Sequence, residues 1–130
     1  MSGKVKVLIV DDNEYMHKLV DLSLYKTDYH GLFAHSGKEA LEIIEKEHPA
    51  IVLLDVMMPG LSGFDVCRTI KQSNHSATRV IFLTAMVQDV DRLRGFDVGG
   101  DAYTTKPFSP RSLVALIDEQ YLLWLQSQAK

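Results

Sequence analysis

Three short runs without a polar residue, Val7-Leu8-Ile9-Val10, Ile51-Val52-Leu53-Leu54 and Val80-Ile81-Phe82-Leu83, are interleaved with segments of helical period. Runs of this length without polar alternation suit strands covered on both faces. Their alternation with helices argues for crossover units, and so for a parallel sheet sandwiched between helices. The pattern predicts strands near 5–10, 31–35, 51–54, 79–83 and 102–105. It predicts helices near 14–26, 37–47, 63–72, 88–98 and 110–126. The second and fifth strands, Gly31-Leu32-Phe33-Ala34 and Ala102-Tyr103-Thr104-Thr105, are weaker and read as edges. A flavodoxin-like, doubly wound sandwich of five βα units with strand order 2-1-3-4-5 places them there. The order is taken from that winding, since the residues themselves say only which strands are central.

Helix boundaries are marked in the sequence. Ser36 with Glu39 and Ser62 with Asp65 have capping-box spacing. Ser109-Pro110 sets a capping hydroxyl before a proline at the first helical position. His48-Pro49 is expected to stop the second helix, and Gly99-Gly100 the fourth.

The 130 residues suit one domain with one core. A net charge of −3 argues against non-specific binding to nucleic acid. No apolar run approaches the roughly 18 residues of a membrane span. Met1-Ser2-Gly3-Lys4 leads straight into a strand, unlike a secretory signal. Cys67 is the only cysteine, so no internal disulfide forms. The location expected from these features is cytoplasmic.

In a parallel sheet, the residues just past the strand ends share one rim, and ligands bind where the winding reverses. Asp11 and Asp12 follow the first predicted strand, Asp55 the third, Thr84 the fourth and Lys106 the fifth. Three carboxylates together repel one another and call for raised pKa values or a cation. Magnesium suits oxygen donors, keeps waters and recruits phosphate oxygens. A carboxylate is also a nucleophile toward phosphoryl groups, whose charge needs fixed positive partners. The set therefore reads as a site for a divalent cation and a phosphoryl group.

With these residues placed, the chain resembles the receiver domain of two-component response regulators over about residues 4–120. The matching motifs are Val10-Asp11-Asp12, Leu54-Asp55-Val56-Met57-Met58-Pro59-Gly60, Leu83-Thr84-Ala85 and Thr105-Lys106-Pro107-Phe108, with Gly99-Gly100-Asp101-Ala102-Tyr103 before the last strand. The resemblance implies that Asp55 accepts a phosphoryl group from a histidine kinase or a histidine phosphotransfer protein. It implies Mg2+, with Mn2+ as the substitute, held by Asp11, Asp12, Asp55 and the backbone carbonyl of Met57. Lys106 pairs with the phosphate, Thr84 bonds one of its oxygens, and Tyr103 rotates as Thr84 moves. The Lys106-Pro107 bond is expected to be cis. The readout implied is the surface of the fourth helix, fifth strand and fifth helix, which meets an output domain, an effector protein or a second copy. Such a domain is a signalling switch with slow phosphotransfer and autodephosphorylation chemistry rather than a metabolic enzyme.

Met57, Ala85 and Met86 are expected to flank the phosphoryl group. Two thioethers orient water poorly, so slow self-dephosphorylation is expected. Ala85, being small, leaves the group open to partners. The histidines His17, His30, His35, His48 and His75 show no pair at metal-site spacing and read as solvated or structural. Cys67 lies among apolar neighbours and reads as packing. Leu113, Ile117, Tyr121 and Trp124 form one buried stripe at helical spacing, with Leu122, Leu123 and Leu125 largely outside it. Residues 122–130 then read either as a helical extension on its own core or as a linker to a further domain.

Two other functions fit less well. A haloacid dehalogenase-type aspartyl-phosphate phosphatase also uses a strand-end aspartate and magnesium, but it resembles Asp-x-Asp, and Met57 stands at the second aspartate's place. A flavin-binding carrier of similar winding needs a Ser/Thr/Gly-rich phosphate loop where this chain has Asp11-Asp12-Asn13-Glu14.

Overall fold

The computed structural model describes residues 4–84, 97–106 and 108–128. Five strands form one parallel sheet in the order β2-β1-β3-β4-β5: β1 (Val5–Val10), β2 (Tyr29–Ala34), β3 (Ile51–Asp55), β4 (Arg79–Thr84) and β5 (Ala102–Thr105). This is the expected doubly wound, flavodoxin-like sandwich. Helices α1 (Glu14–Ser23), α2 (Gly37–Glu47) and α3 (Gly63–Lys71) and the C-terminal helix (Pro110–Gln128) cover it. The expected helix at 88–98 falls almost wholly outside the described residues.

Alternate residues of the aliphatic strands enter two separate cores. Leu8, Val10, Val52, Leu54, Val80 and Phe82 pack with Ala40 and Ile44 of α2 and Phe64, Cys67 and Ile70 of α3. Val7, Ile9, Ile51, Leu53, Ile81 and Leu83 pack with Val20 of α1 and with Leu113 and Ile117 of the C-terminal helix. A strand whose two faces both meet helices has no polar face, which is why these runs are continuous. At roughly 25 cal/mol per Å² of apolar area removed from water, this burial is the main term holding the sheet together.

The helix starts follow their caps. Ser62 and Asp65 form a complete capping box at α3. At α2, Ser36 accepts from the Glu39 N–H, but the Glu39 carboxylate reaches one residue further back, to the N–H of His35 at 2.6 Å. Ser109 Oγ accepts from the N–H of Ser112. His48 ends α2 in the left-handed conformation, and Gly99 takes a positive φ of 99°.

Two boundaries differ from expectation. Helix α1 stops at Ser23, because Leu24 to Thr27 close tight turns through Tyr25 N–H to the Leu22 carbonyl and Thr27 N–H to the Leu24 carbonyl. Strand β2 therefore starts earlier, at Tyr29, paired with Val5. The polar pair Asp28 and His30 hid this start.

Asp101 ties the sheet to α3. Its Oδ2 accepts from the Val80 N–H and from Lys71 Nζ, both at 2.8 Å. Cys67 is buried, its thiol is pushed up to about 12 by desolvation, and it packs as expected. In the C-terminal helix, Leu113 and Ile117 are buried and Tyr121 and Trp124 stack at 5.8 Å. Leu122, Leu123 and Leu125 are exposed. No helix among the described residues is long and apolar enough to cross a membrane.

Gly63 opens α3 against the end of β3. A Cβ there would stand 2.3 Å from the Asp55 carbonyl oxygen and 2.9 Å from the Val56 Cα. Gly60 has φ of 77° with open space around its Cβ position. Gly63→Ala should cost about 1–3 kcal/mol through overpacking against backbone, and Gly60→Ala about 1 kcal/mol through its positive φ. Urea unfolding of both variants checks the ranking; a Gly63→Ala midpoint equal to the wild type contradicts the close packing.

Candidate functional site

The parallel register brings the strand ends into line. Val10 pairs with Leu54, Asp55 with Leu83, and Thr84 with Thr105. Asp11, Asp12, Asp55 and Lys106 therefore meet at the carboxyl edge, where the winding reverses between β1 and β3.

Asp11 is fully buried. One of its oxygens accepts from the Asn13 N–H at 2.9 Å, and the other from Lys106 Nζ at 2.8 Å. Asn13 also caps α1, with its side chain accepting from the Tyr15 N–H at 2.8 Å. The helix start and the first carboxylate are thus fixed by one residue. Behind Asp11, the buried ring of His17 donates from Nε2 to the Asp11 carbonyl at 2.7 Å.

Asp55 is 6% exposed. Its Oδ1 accepts from the Met57 N–H at 3.4 Å and lies 3.6 Å from Lys106 Nζ. Its carboxyl is raised to about 6, chiefly by burial. The Lys106 charge opposes that rise, whereas Asp11 adds to it. Asp12 is exposed. Oxygens of Asp11, Asp12 and Asp55 lie within 4.8 Å of one another.

These donors fit a hard divalent cation. They are all oxygens, Asp12 opens the cluster to solvent, and the single lysine only partly offsets three carboxyl groups. Asp11, Asp12 and Asp55 are the residues able to hold such an ion.

The other expected residues are placed to differing degrees. Thr84 ends β4 beside β5, and its side chain lies outside the described residues. Ala85, Met86 and Pro107, with its expected cis bond, also lie outside them. Met57 is 63% exposed at the rim. Tyr103 is half-buried on β5, its ring 5.9 Å from that of Phe82. Sequence reasoning missed Asn13, His17 and Gly63 as supports of the site. A glycine directly after a capping serine, at a helix start where it brings no stability, was the one signal available for Gly63.

The model of the response regulator receiver domain matches residues 7–118. The chain belongs to this receiver family. A probable transcriptional regulator, ycf27 of Porphyra purpurea, is 41% identical over 116 residues, covering 89% of this chain and 47% of that protein. The receiver chain here spans about half the length of the curated relatives it matches. The chemotaxis protein CheY4 of Vibrio cholerae superposes with a TM-score of 0.85 at 29% identity, covering 89% of this chain and 98% of that one. The BeF3-activated receiver domain of DrrB, a Thermotoga maritima protein, gives 0.83 at 35% identity, over 91% and 97% of the two chains. Receiver domains bind Mg2+ through acidic residues and generally signal rather than catalyse.

The raised Asp55 carboxyl has a consequence for stability. The folded receiver binds more protons than the unfolded chain between the free value of about 3.9 and about 6. Stability therefore falls as pH rises through that window and stays lower above it. In metal-free buffer, Asp55→Asn should be more stable than wild type near neutral pH, by on the order of 1–2 kcal/mol. The gap should close below about pH 4. Urea unfolding across this range checks it; a constant gap, or a destabilised variant at neutral pH, counts against it.

Proposed function

We propose that this receiver domain is a phosphorylation-dependent signalling switch with Asp55 as the acceptor. The observation that carries the reading is Asp55 itself, buried at the switch point, with Lys106 at 3.6 Å and two further aspartates beside it. A phosphohistidine on a histidine kinase or a phosphotransfer protein is the donor. An Asp55 oxygen forms the new P–O bond as the P–N bond breaks, and the leaving imidazole takes up a proton. Asp11, Asp12, Asp55 and the Met57 carbonyl hold Mg2+, which supplies positive charge to the transferring phosphoryl oxygens. Lys106 supplies a second positive partner, and the Thr84 hydroxyl a hydrogen bond.

The product adds about −1.5 to −2 charge. In this reading Lys106 shifts from Asp11 toward the phosphoryl group, Thr84 moves in, and Tyr103 turns against the Phe82 side of the core. The surface of the helix expected at 88–98, β5 and the C-terminal helix then changes its fit for an output domain, an effector or a second copy. The relatives named as transcriptional regulators favour an output in gene control.

Beryllofluoride with Mg2+ tests the acceptor. Wild type should show shifted amide signals around Asp11, Asp55 and Lys106, and Asp55→Asn should show none. Equal shifts in both proteins sink the proposal. Decay of the phosphorylated domain tests the rim. With the thioether of Met57 exposed beside Asp55, hydrolysis should be slow, and Met57→Asn should speed it several-fold by orienting water. A wild-type half-life of seconds contradicts this.

A further inference from the structure

A second group of ligating atoms lies on the same rim, outside the carboxylate site. Glu14, His17 and His35 each offer one atom, and these all lie within 4.8 Å of one another. Glu14 and His17 stand one turn apart on α1, and His35 follows β2. His35 Nε2 is 2.7 Å from Glu14 Oε1, and His17 Nδ1 is 3.8 Å from the same oxygen. The two imidazole rings are 4.4 Å apart. Together these groups line a recess of about 230 Å³ with Phe33 and Lys18. The 17 residues between His17 and His35 hid this pairing from any reading of spacing.

His17 sets the chemistry. Its side chain is 6% exposed, and its Nε2 lies 2.7 Å from the Asp11 carbonyl oxygen. A carbonyl only accepts, so Nε2 carries the hydrogen, and in the neutral ring Nδ1 is a lone pair. That buried nitrogen stands 3.8 Å from the Glu14 carboxylate, and a cation between them would be held by both. His35 is held in a parallel way. Its Nε2 meets Glu14, and its Nδ1 lies 3.4 Å from Glu39 Oε1. Metal-bound histidines are oriented in this manner, one nitrogen toward the ion and the other toward a carbonyl or carboxylate.

Two imidazole nitrogens and one carboxylate oxygen suit zinc or a similar late first-row ion, not magnesium. Tetrahedral bonds of about 2.0–2.1 Å place ligand atoms roughly 3.3 Å apart. The separations of 2.7 and 3.8 Å lie either side of that value. Without an ion, the same geometry holds a proton: the hydrogen bond between His35 and Glu14 raises the first and lowers the second.

We propose that Glu14, His17 and His35 form a site for Zn2+ or a chemically similar transition-metal ion, distinct from the carboxylate site, with water completing the coordination. An ion on His17 Nδ1 strengthens the Nε2–H donor to the Asp11 carbonyl, so the two sites touch through one ring. The proposal does not depend on Asp55 being phosphorylated.

The test uses the untagged, metal-stripped chain with excess Mg2+ to occupy the carboxylates. Titration with Zn2+ by calorimetry should give one ion per chain. His35→Ala and Glu14→Gln, both at exposed positions, should each weaken binding by about 10-fold or more. In nitrogen-correlated spectra, Zn2+ should shift the ring signals of His17 and His35 and leave His48 and His75 in place. No saturable binding overturns the proposal and leaves the cluster a proton-sharing pair. So does binding that survives in both variants, that excess Mg2+ abolishes, or that shifts His48 and His75 instead.

Discussion

The contact from Lys106 to Asp11 closes the rim of this molecule. These residues follow β5 and β1, which lie three strands apart in the sheet, a width of about 14 Å. At 2.8 Å the ammonium meets a fully buried carboxylate, and the same nitrogen stands 3.6 Å from Asp55. One cation thus serves two buried acids. The sheet order, the register and both cores combine to bring that charge across. Removing Lys106 would leave the buried Asp11 carboxylate without its cation, which costs far more than the pair itself contributes.

Much of this architecture could be read in the residues because the physics concerned is local. Continuous aliphatic runs mean two covered faces, and the alternation of Leu8, Val10 with Val7, Ile9 between the two cores bears that out. Asp11, Asp12, Asp55 and Lys106 were legible because each directly follows a strand, and a parallel register does the gathering. The capping box at Ser62 was legible for the same reason.

What escaped were features set by non-local geometry. The start of β2 at Tyr29 depends on pairing with Val5, which overrides a polar local sequence. The reach of Glu39 to His35 depends on how the loop enters α2. The meeting of His17 with His35 depends on the crossover that lays α1 beside β2. Spacing rules for metal ligands capture ligands on one element, and this group is drawn from two.

The glycine at the start of α3 sets how closely that helix can approach the end of β3 that carries Asp55. Gly63 is seated against the Asp55 carbonyl, and its N–H is bonded to the Val56 carbonyl at 3.1 Å, so the helix start and the strand end share one tightly packed stretch of backbone. Any side chain in its place would drive the start of α3 and the end of β3 apart, and with them the carboxylate edge of the sheet.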